Sequence, residues 1–165
     1  MEFRIEHRIQ APVEDAVTAS MDEAFNKRLT ELPNVAERTV TTFDRRPDGS
    51  IHRIVRYRFA GPLPGPVLKA IGGSTVSWDE EGTFDPARNE WRYEIHPHVM
   101  KGRFKCSGRY AFVPDGDISK RVVEADIRVN IPLVGRRVAK VIADGMKDTL
   151  DAEARLLNEF VGARS

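Results

Sequence analysis

The sequence predicts an α+β fold in which a curved antiparallel sheet of about seven strands wraps around a long C-terminal helix. Three observations carry this. Short segments alternate apolar and polar residues along most of the chain, turn-forming residues separate them at hairpin spacing, and the last third ends in one long amphipathic stretch. Successive hairpins imply an antiparallel meander. A meander of this length must curl to cover its apolar face, and a long helix can lie in the concavity.

The elements follow in order. Phe3, Ile5, His7 and Ile9 alternate with Arg4, Glu6 and Arg8, the pattern of a half-buried strand. Pro12 follows, and proline suits the first turn of a helix. Residues 13–20 and 22–32 read as two short helices, the second capped by Asp22 or Ser20, and Pro33-Asn34 ends them. Residues 35–44 form the next strand, closed by the turn Pro47-Asp48-Gly49-Ser50. Over residues 51–59, Ile51, Val55, Tyr57 and Phe59 share a face with Arg53. Residues 75–84 put Val76, Trp78, Glu80, Gly82 and Phe84 on one face. After a turn at 85–89, the strand 90–96 aligns Trp91, Tyr93 and Ile95. The strand 103–113 aligns Phe104, Cys106, Gly108, Tyr110 and Phe112, and the last strand, 121–131, aligns Val123, Ala125, Ile127, Val129 and Ile131. The helix over 134–160 carries Val134, Val138, Val141, Ile142, Met146, Leu150, Leu156, Leu157 and Phe160 at spacings of mostly three and four. It is about 40 Å long at the standard helical rise. Gly145 falls within this stripe, where glycine costs about 1 kcal/mol against alanine. It marks close packing, or space left for something else.

Bulk properties bound the function. The 165 residues suit one domain spanning 1–165, large enough for a real core. A net charge of +1 argues against bulk nucleic-acid binding. The lone cysteine, Cys106, excludes an intrachain disulfide and suits a reducing compartment. The charged, alternating N-terminus does not read as a signal peptide, and no apolar run is long enough for a transmembrane segment. A cytoplasmic location is expected.

The layout resembles the helix-grip fold of the START/Bet v 1-like (SRPBCC) superfamily. The stretches that carry the likeness are Phe3-Arg4-Ile5-Glu6-His7 with Ala11-Pro12-Val13, Tyr57-Arg58-Phe59-Ala60-Gly61-Pro62-Leu63-Pro64, Cys106-Ser107-Gly108, Ile131-Pro132-Leu133-Val134-Gly135 and Leu150-Asp151-Ala152-Glu153. They are similar to an uncharacterised bacterial family, a domain of unknown function, within that superfamily. The superfamily includes lipid carriers, polyketide cyclases, hormone receptors and oxygenase subunits, and fold alone does not choose among them.

Strand direction locates an entrance. In a meander, the loop 60–73, the segment 96–102 and the turn 132–135 meet at one end. Gly61-Pro62-Leu63-Pro64-Gly65-Pro66 is stiff and apolar, and Val67, Leu68 and Ile71 follow at helical spacing. This reads as a hydrophobic lid with transient membrane contact, or as a loop folded onto the core by its own leucines. Arg136, Arg137 and Lys140 oppose the dipole at the helix start. They greet an anionic group or form a solvated face. His96 and His98 flank Pro97 at the mouth, but nothing completes a zinc set. No metal or cofactor is implied.

Inside, Glu80 is expected to face the cavity between Trp78 and Gly82, with Arg53 in the inward phase of its own strand. A buried carboxyl has a raised pKa and can serve as a general acid or base. Glu80, Arg53 and His7 are therefore the weak catalytic candidates. A bulge that turns Glu80 and Arg53 to water is the alternative. Tyr57, Trp78, Tyr93, Tyr110 and Phe112 line a pocket for a ring-bearing ligand, with Val141, Gly145 and Met146 from the helix, or they fill the core. Cys106 reads as an inert buried thiol. No nucleophile elbow, dinucleotide fingerprint or phosphate loop is present. The favoured function is binding or transport of a small hydrophobic molecule such as a lipid, isoprenoid or polyketide. A cyclase/aromatase-like enzyme in the same cavity is the second reading, and an interaction module through residues 61–71 the third.

Overall fold

Alternation along the chain becomes one seven-stranded antiparallel sheet in the computed structural model, which describes residues 1–164. β1 (Glu2–Ile9) leads into α1 (Val13–Met21) and α2 (Glu23–Arg28). β2 (Val35–Arg45), β3 (Ile51–Phe59), α3 (Gly65–Ile71), β4 (Ser77–Asp85), β5 (Glu90–Pro97), β6 (Phe104–Asp115) and β7 (Ile118–Val129) follow, and α4 (Gly135–Arg164) comes last. The spatial order is β1-β7-β6-β5-β4-β3-β2. Each hairpin pairs neighbours, and β1 joins β7, with Phe3 opposite Ala125 and His7 opposite Arg121. β2 is the other edge. It carries two register shifts, between Val35 and Glu37 and between Val40 and Thr42, which bend it.

Element boundaries moved where local chemistry decided them. The expected helix over 22–32 stops at Arg28 and tightens into a single 3-10 turn, Leu29–Glu31. Asp22, not Ser20, is the cap: its side chain accepts from the Ala24 N–H at 2.8 Å. The last strand runs Ile118–Val129 rather than 121–131. Beyond it Asn130 donates its N–H to the Arg103 carbonyl at 2.7 Å, and Leu133 takes a left-handed conformation at φ 68°. The apolar 61–71 loop contains a true helix, α3. Pro66 opens it, and Gly72, left-handed at φ 61°, ends it.

α4 packs on β7, on β1 and against α1, and does not pack closely on β2–β5. Ala139 and Ala143 are buried against Cys106 and Ile127, so small side chains bring the helix close to the sheet there. Towards its end, Ala154, Leu156, Leu157 and Val161 join Ile9, Ala16, Phe25 and Phe112 in the largest cluster. Burying one such leucine contributes roughly 1.5–3 kcal/mol. Val17 and Met21 of α1 cover Ile51, Phe84 and Trp91 and so close one end of the sheet. The loops after β3, β5 and β7 emerge at the opposite end, as strand direction required.

Candidate functional site

Register places the central side chains. Directly opposed residues in antiparallel strands share a face. Tyr57 lies opposite Trp78, Val55 opposite Glu80 and Arg53 opposite Gly82. Glu80 lies opposite Ile95, Tyr93 opposite Gly108, and Trp91 opposite Tyr110. Val55 and Trp91 are buried, which marks this face as the concave one. Glu80 and Arg53 therefore face inward, and no bulge in β3 or β4 turns them to water.

The group is aromatic and charged. Tyr57 stacks on Trp78 with ring centroids 5.4 Å apart. Tyr110 lies 6.3 Å from Trp91 and 6.4 Å from Tyr93. The Arg53 guanidinium sits 4.2 Å above the Trp91 ring and donates to the Tyr110 hydroxyl at 3.3 Å. Its distance to Glu80 is 3.8 Å, an ion pair without a hydrogen bond. From β2, Arg38 donates to the Tyr57 hydroxyl at 3.2 Å and to Asn26 Oδ1 at 3.1 Å. Gly108 is obligatory: a Cβ there would collide with the Glu124 carbonyl oxygen and stand 2.6 Å from the Tyr93 hydroxyl.

Burial pushes the Glu80 carboxyl above its ordinary value; Arg53 pulls it down, Glu153 pushes it up, and Arg38 pulls it down. Burial wins because the Arg53 contact is too long to be a hydrogen bond. The Tyr57, Tyr93 and Tyr110 hydroxyls are also pushed up, first by burial, and stay protonated at neutral pH. Burial pulls the Arg53 guanidinium down, but Tyr110 and Glu80 more than offset it, so Arg53 stays charged. Cys106 is pushed up to about 12, chiefly by burial, and is an inert thiol.

A second polar group ties α4 to the sheet. Arg121, buried on β7, pairs with Glu153 at 3.1 Å and donates to the Leu150 carbonyl at 2.8 Å. His7 Nε2 meets Asp151 Oδ1 at 2.7 Å, and its Nδ1 faces Arg121 at 3.4 Å. A guanidinium can only donate, so Nδ1 accepts and Nε2 carries the proton to Asp151. His7 thus bridges Asp151 of α4 and Arg121 of β7.

The structure gathers Tyr57, Trp78, Glu80, Tyr93 and Tyr110 on one face, together with Arg53. It does not add Phe112, which packs in the core with Phe25 and Leu157. Met146 and Ile142 rest against the Cys106–Ile127 cluster, while Val141 is exposed. A Cβ on Gly145 would meet nothing within 4 Å, so space rather than close packing explains this glycine. Val67 and Ile71 of α3 are buried, Leu63 is half-buried and Leu68 is exposed. Arg136 and Arg137 are exposed at the start of α4, beside the fully exposed Leu133.

His96 and His98 lie at the end where the loop after β5 emerges, and they face the outer side of the sheet. Glu81 and Asp79 point away from the concave side in alternation with Glu80. His96 meets Glu81 at 3.0 Å and His98 meets Asp79 at 3.1 Å. The Arg56 hydrogen bond, with His98 assisting, holds Asp79 down to about 2. A depression of about 830 Å³ on β1, β5, β6 and β7 is lined by the ion-paired Arg4, Arg109 and Glu124 and also reaches Phe3, Tyr93 and Gly108. Among the described residues no group of three or more His, Cys, Asp or Glu could hold a metal ion. No helix among them is long and apolar enough to cross a membrane.

Sequence reasoning missed Arg38, Arg121 and Glu153. Glu153 had a signal, since it follows Leu150 by three positions and precedes Leu157 by four within the apolar stripe.

The model of the family described as "Protein of unknown function (DUF2505)" matches residues 4–161. The chain belongs to that family. No curated protein matches it. Among solved structures, TTHA0849 from Thermus thermophilus is similar with a TM-score of 0.71 at 23% identity, covering 100% of this chain and 99% of that one. A START superfamily protein from Mycobacterium smegmatis is similar with a TM-score of 0.60 at 18% identity, covering 99% of each. The di-domain ARO/CYC StfQ from the steffimycin biosynthetic pathway gives 0.69 at 16% identity, over 99% of this chain and 51% of that one. These likenesses establish that this DUF2505 member has the helix-grip fold of the START/Bet v 1-like superfamily.

Proposed function

We propose that the protein binds a small hydrophobic, ring-bearing molecule between the concave face of the sheet and α4. One observation carries the reading: the aromatic and charged side chains at the centre of that concave face keep free surface. Glu80 retains 20% of its side-chain surface, and Tyr57, Tyr93 and Tyr110 are each only partly covered. A close-packed interior leaves no such surface. Apolar walls with a few convergent polar groups suit a ligand site. The open space before Gly145 and the START superfamily fold support the same reading. The unpaired, buried Cys106 supports a reducing compartment such as the cytoplasm.

Native mass spectrometry of the purified protein, followed by organic extraction, tests this. A stoichiometric apolar compound is the expected result. A protein that carries nothing and also excludes the uncharged probe N-phenyl-1-naphthylamine would overturn it.

A second reading is a cyclase/aromatase-like enzyme. Glu80 favours it: a carboxyl with a raised pKa beside Arg53 and Tyr110 is suited to proton transfer. On this reading Glu80→Gln abolishes turnover of a polyketide-like substrate while leaving its binding intact. Unchanged turnover would exclude Glu80 as the acid.

A further inference from the structure

We infer that the bound molecule carries an oxyanion, a carboxylate or an enolate, which docks against Arg53 and Arg38 while its apolar body lies on the aromatic wall. This rests on the proposed binding site and names the class of ligand it takes.

The argument is a count of donors and acceptors. A guanidinium has five N–H donors and no acceptor. Arg53 gives one bond to Tyr110, and Glu80 lies too far for another. The buried side-chain atoms left without a partner among the described residues are Ser119 Oγ and Arg121 Nε. The remaining Arg53 donors are therefore not sealed in protein, and they border free space. Arg38 uses Nε on Tyr57 and Nη2 on Asn26, which leaves Nη1. The Tyr57 and Tyr110 oxygens accept from these arginines, so both phenol protons are available to donate. Both arginines act on Tyr57 and on Glu80, which places the four groups in one neighbourhood. Against these donors stands one carboxyl, Glu80. The second carboxyl within reach, Glu153, is committed to Arg121. A pure hydrocarbon filling the space would leave buried donors unpaired, which is costly. A ligand with an oxyanion satisfies them.

A matched pair of probes separates charge from shape. 1-Anilinonaphthalene-8-sulfonate and N-phenyl-1-naphthylamine share their rings, and only the first is an anion. The wild type is expected to bind the sulfonate roughly tenfold more tightly or better, the scale of a charge-assisted hydrogen bond. Arg53→Met and Arg38→Gln should each erase most of that preference and leave affinity for the uncharged probe within about twofold. Arg53→Lys should retain part of it, and Arg88→Gln, on an exposed turn outside the site, all of it. Equal affinities in the wild type, or equal losses for both probes in the variants, would overturn the inference and leave the hydrophobic site standing. Binding of neither probe to protein stripped of any bound compound by organic extraction and refolding would overturn both. Arg53 is buried, so circular dichroism accompanies each variant. If Arg53→Met does not fold, Arg38→Gln on the edge strand decides by the same comparison.

Discussion

At the scale of single residues, similar sequence signals led to opposite structural causes. Gly108 and Gly145 both interrupt apolar patterns. The first is demanded by a carbonyl and a tyrosine hydroxyl, and the second faces open space. Gly108→Ala is therefore expected to lose about 1–3 kcal/mol by overpacking. Gly145→Ala is expected to gain about 1 kcal/mol from helix propensity. Thermal or urea denaturation of the two variants checks both signs. Glu80 makes a prediction about pH. Its folded pKa is raised, so its neutral form is favoured in the native state and stability falls as pH rises from the ordinary value of 4.5 through the folded value. Glu80→Gln should remove that loss. Urea midpoints across this range should show the variant gaining on the wild type as pH rises, with a plateau above the folded value. A constant difference would mean that Glu80 is not desolvated. That Glu80 and Arg53 share the inward face was legible from alternation alone, because β3 and β4 pair without a register shift. Arg38 was not legible, since the shifts in β2 break the phase that a period of two would assign.

At the scale of elements, α4 is held by apolar packing at both ends of its buried stripe and by one buried charge group between them. Arg121→Met leaves Glu153 and the Leu150 carbonyl without their partner, and breaking such a pair costs roughly 3–5 kcal/mol. Replacing both partners, with Arg121→Met and Glu153→Leu together, should recover much of that loss. Chemical denaturation of the single and double variants measures the coupling. Additive losses would show that the two side chains act independently. The 3.6-residue period announced α4 over nearly its whole length. Its start waited on contacts that a local pattern does not contain: the left-handed Leu133 and the approach of Gly135 to the Val129 carbonyl. The second helix failed for a related reason. Leu29 and Leu32 continue an apolar pattern, but the chain tightens into a 3-10 turn as it turns towards the edge strand β2.

At the scale of the whole molecule, α1 and α2 close one end of the sheet, α4 crosses one side of its concavity, and the aromatic group is centred on β3–β5, on which α4 does not pack closely. A ligand that fills this space binds only the folded state and should raise the midpoint of unfolding with its concentration. A bulky side chain grown from α4, as in Gly145→Trp, should weaken N-phenyl-1-naphthylamine binding without unfolding the protein. Fluorescence titration reads this, and unaltered binding would place the ligand elsewhere. The sequence by itself determined the order of the strands and of the helices other than α3, the antiparallel meander, the amphipathic helix and the end at which the loops after β3, β5 and β7 emerge. All of these follow from local periodicity and chain direction. The tertiary structure alone decided which aromatics line the site and which fill the core, since Tyr110 and Phe112 share a phase yet only Phe112 is fully buried in the core of α1, α2 and α4. It also decided that His96 and His98 face outward, and that Arg38 comes to Tyr57. Those outcomes depend on twist, bulges and the distance between helix and sheet, which are set by packing among residues far apart in the chain.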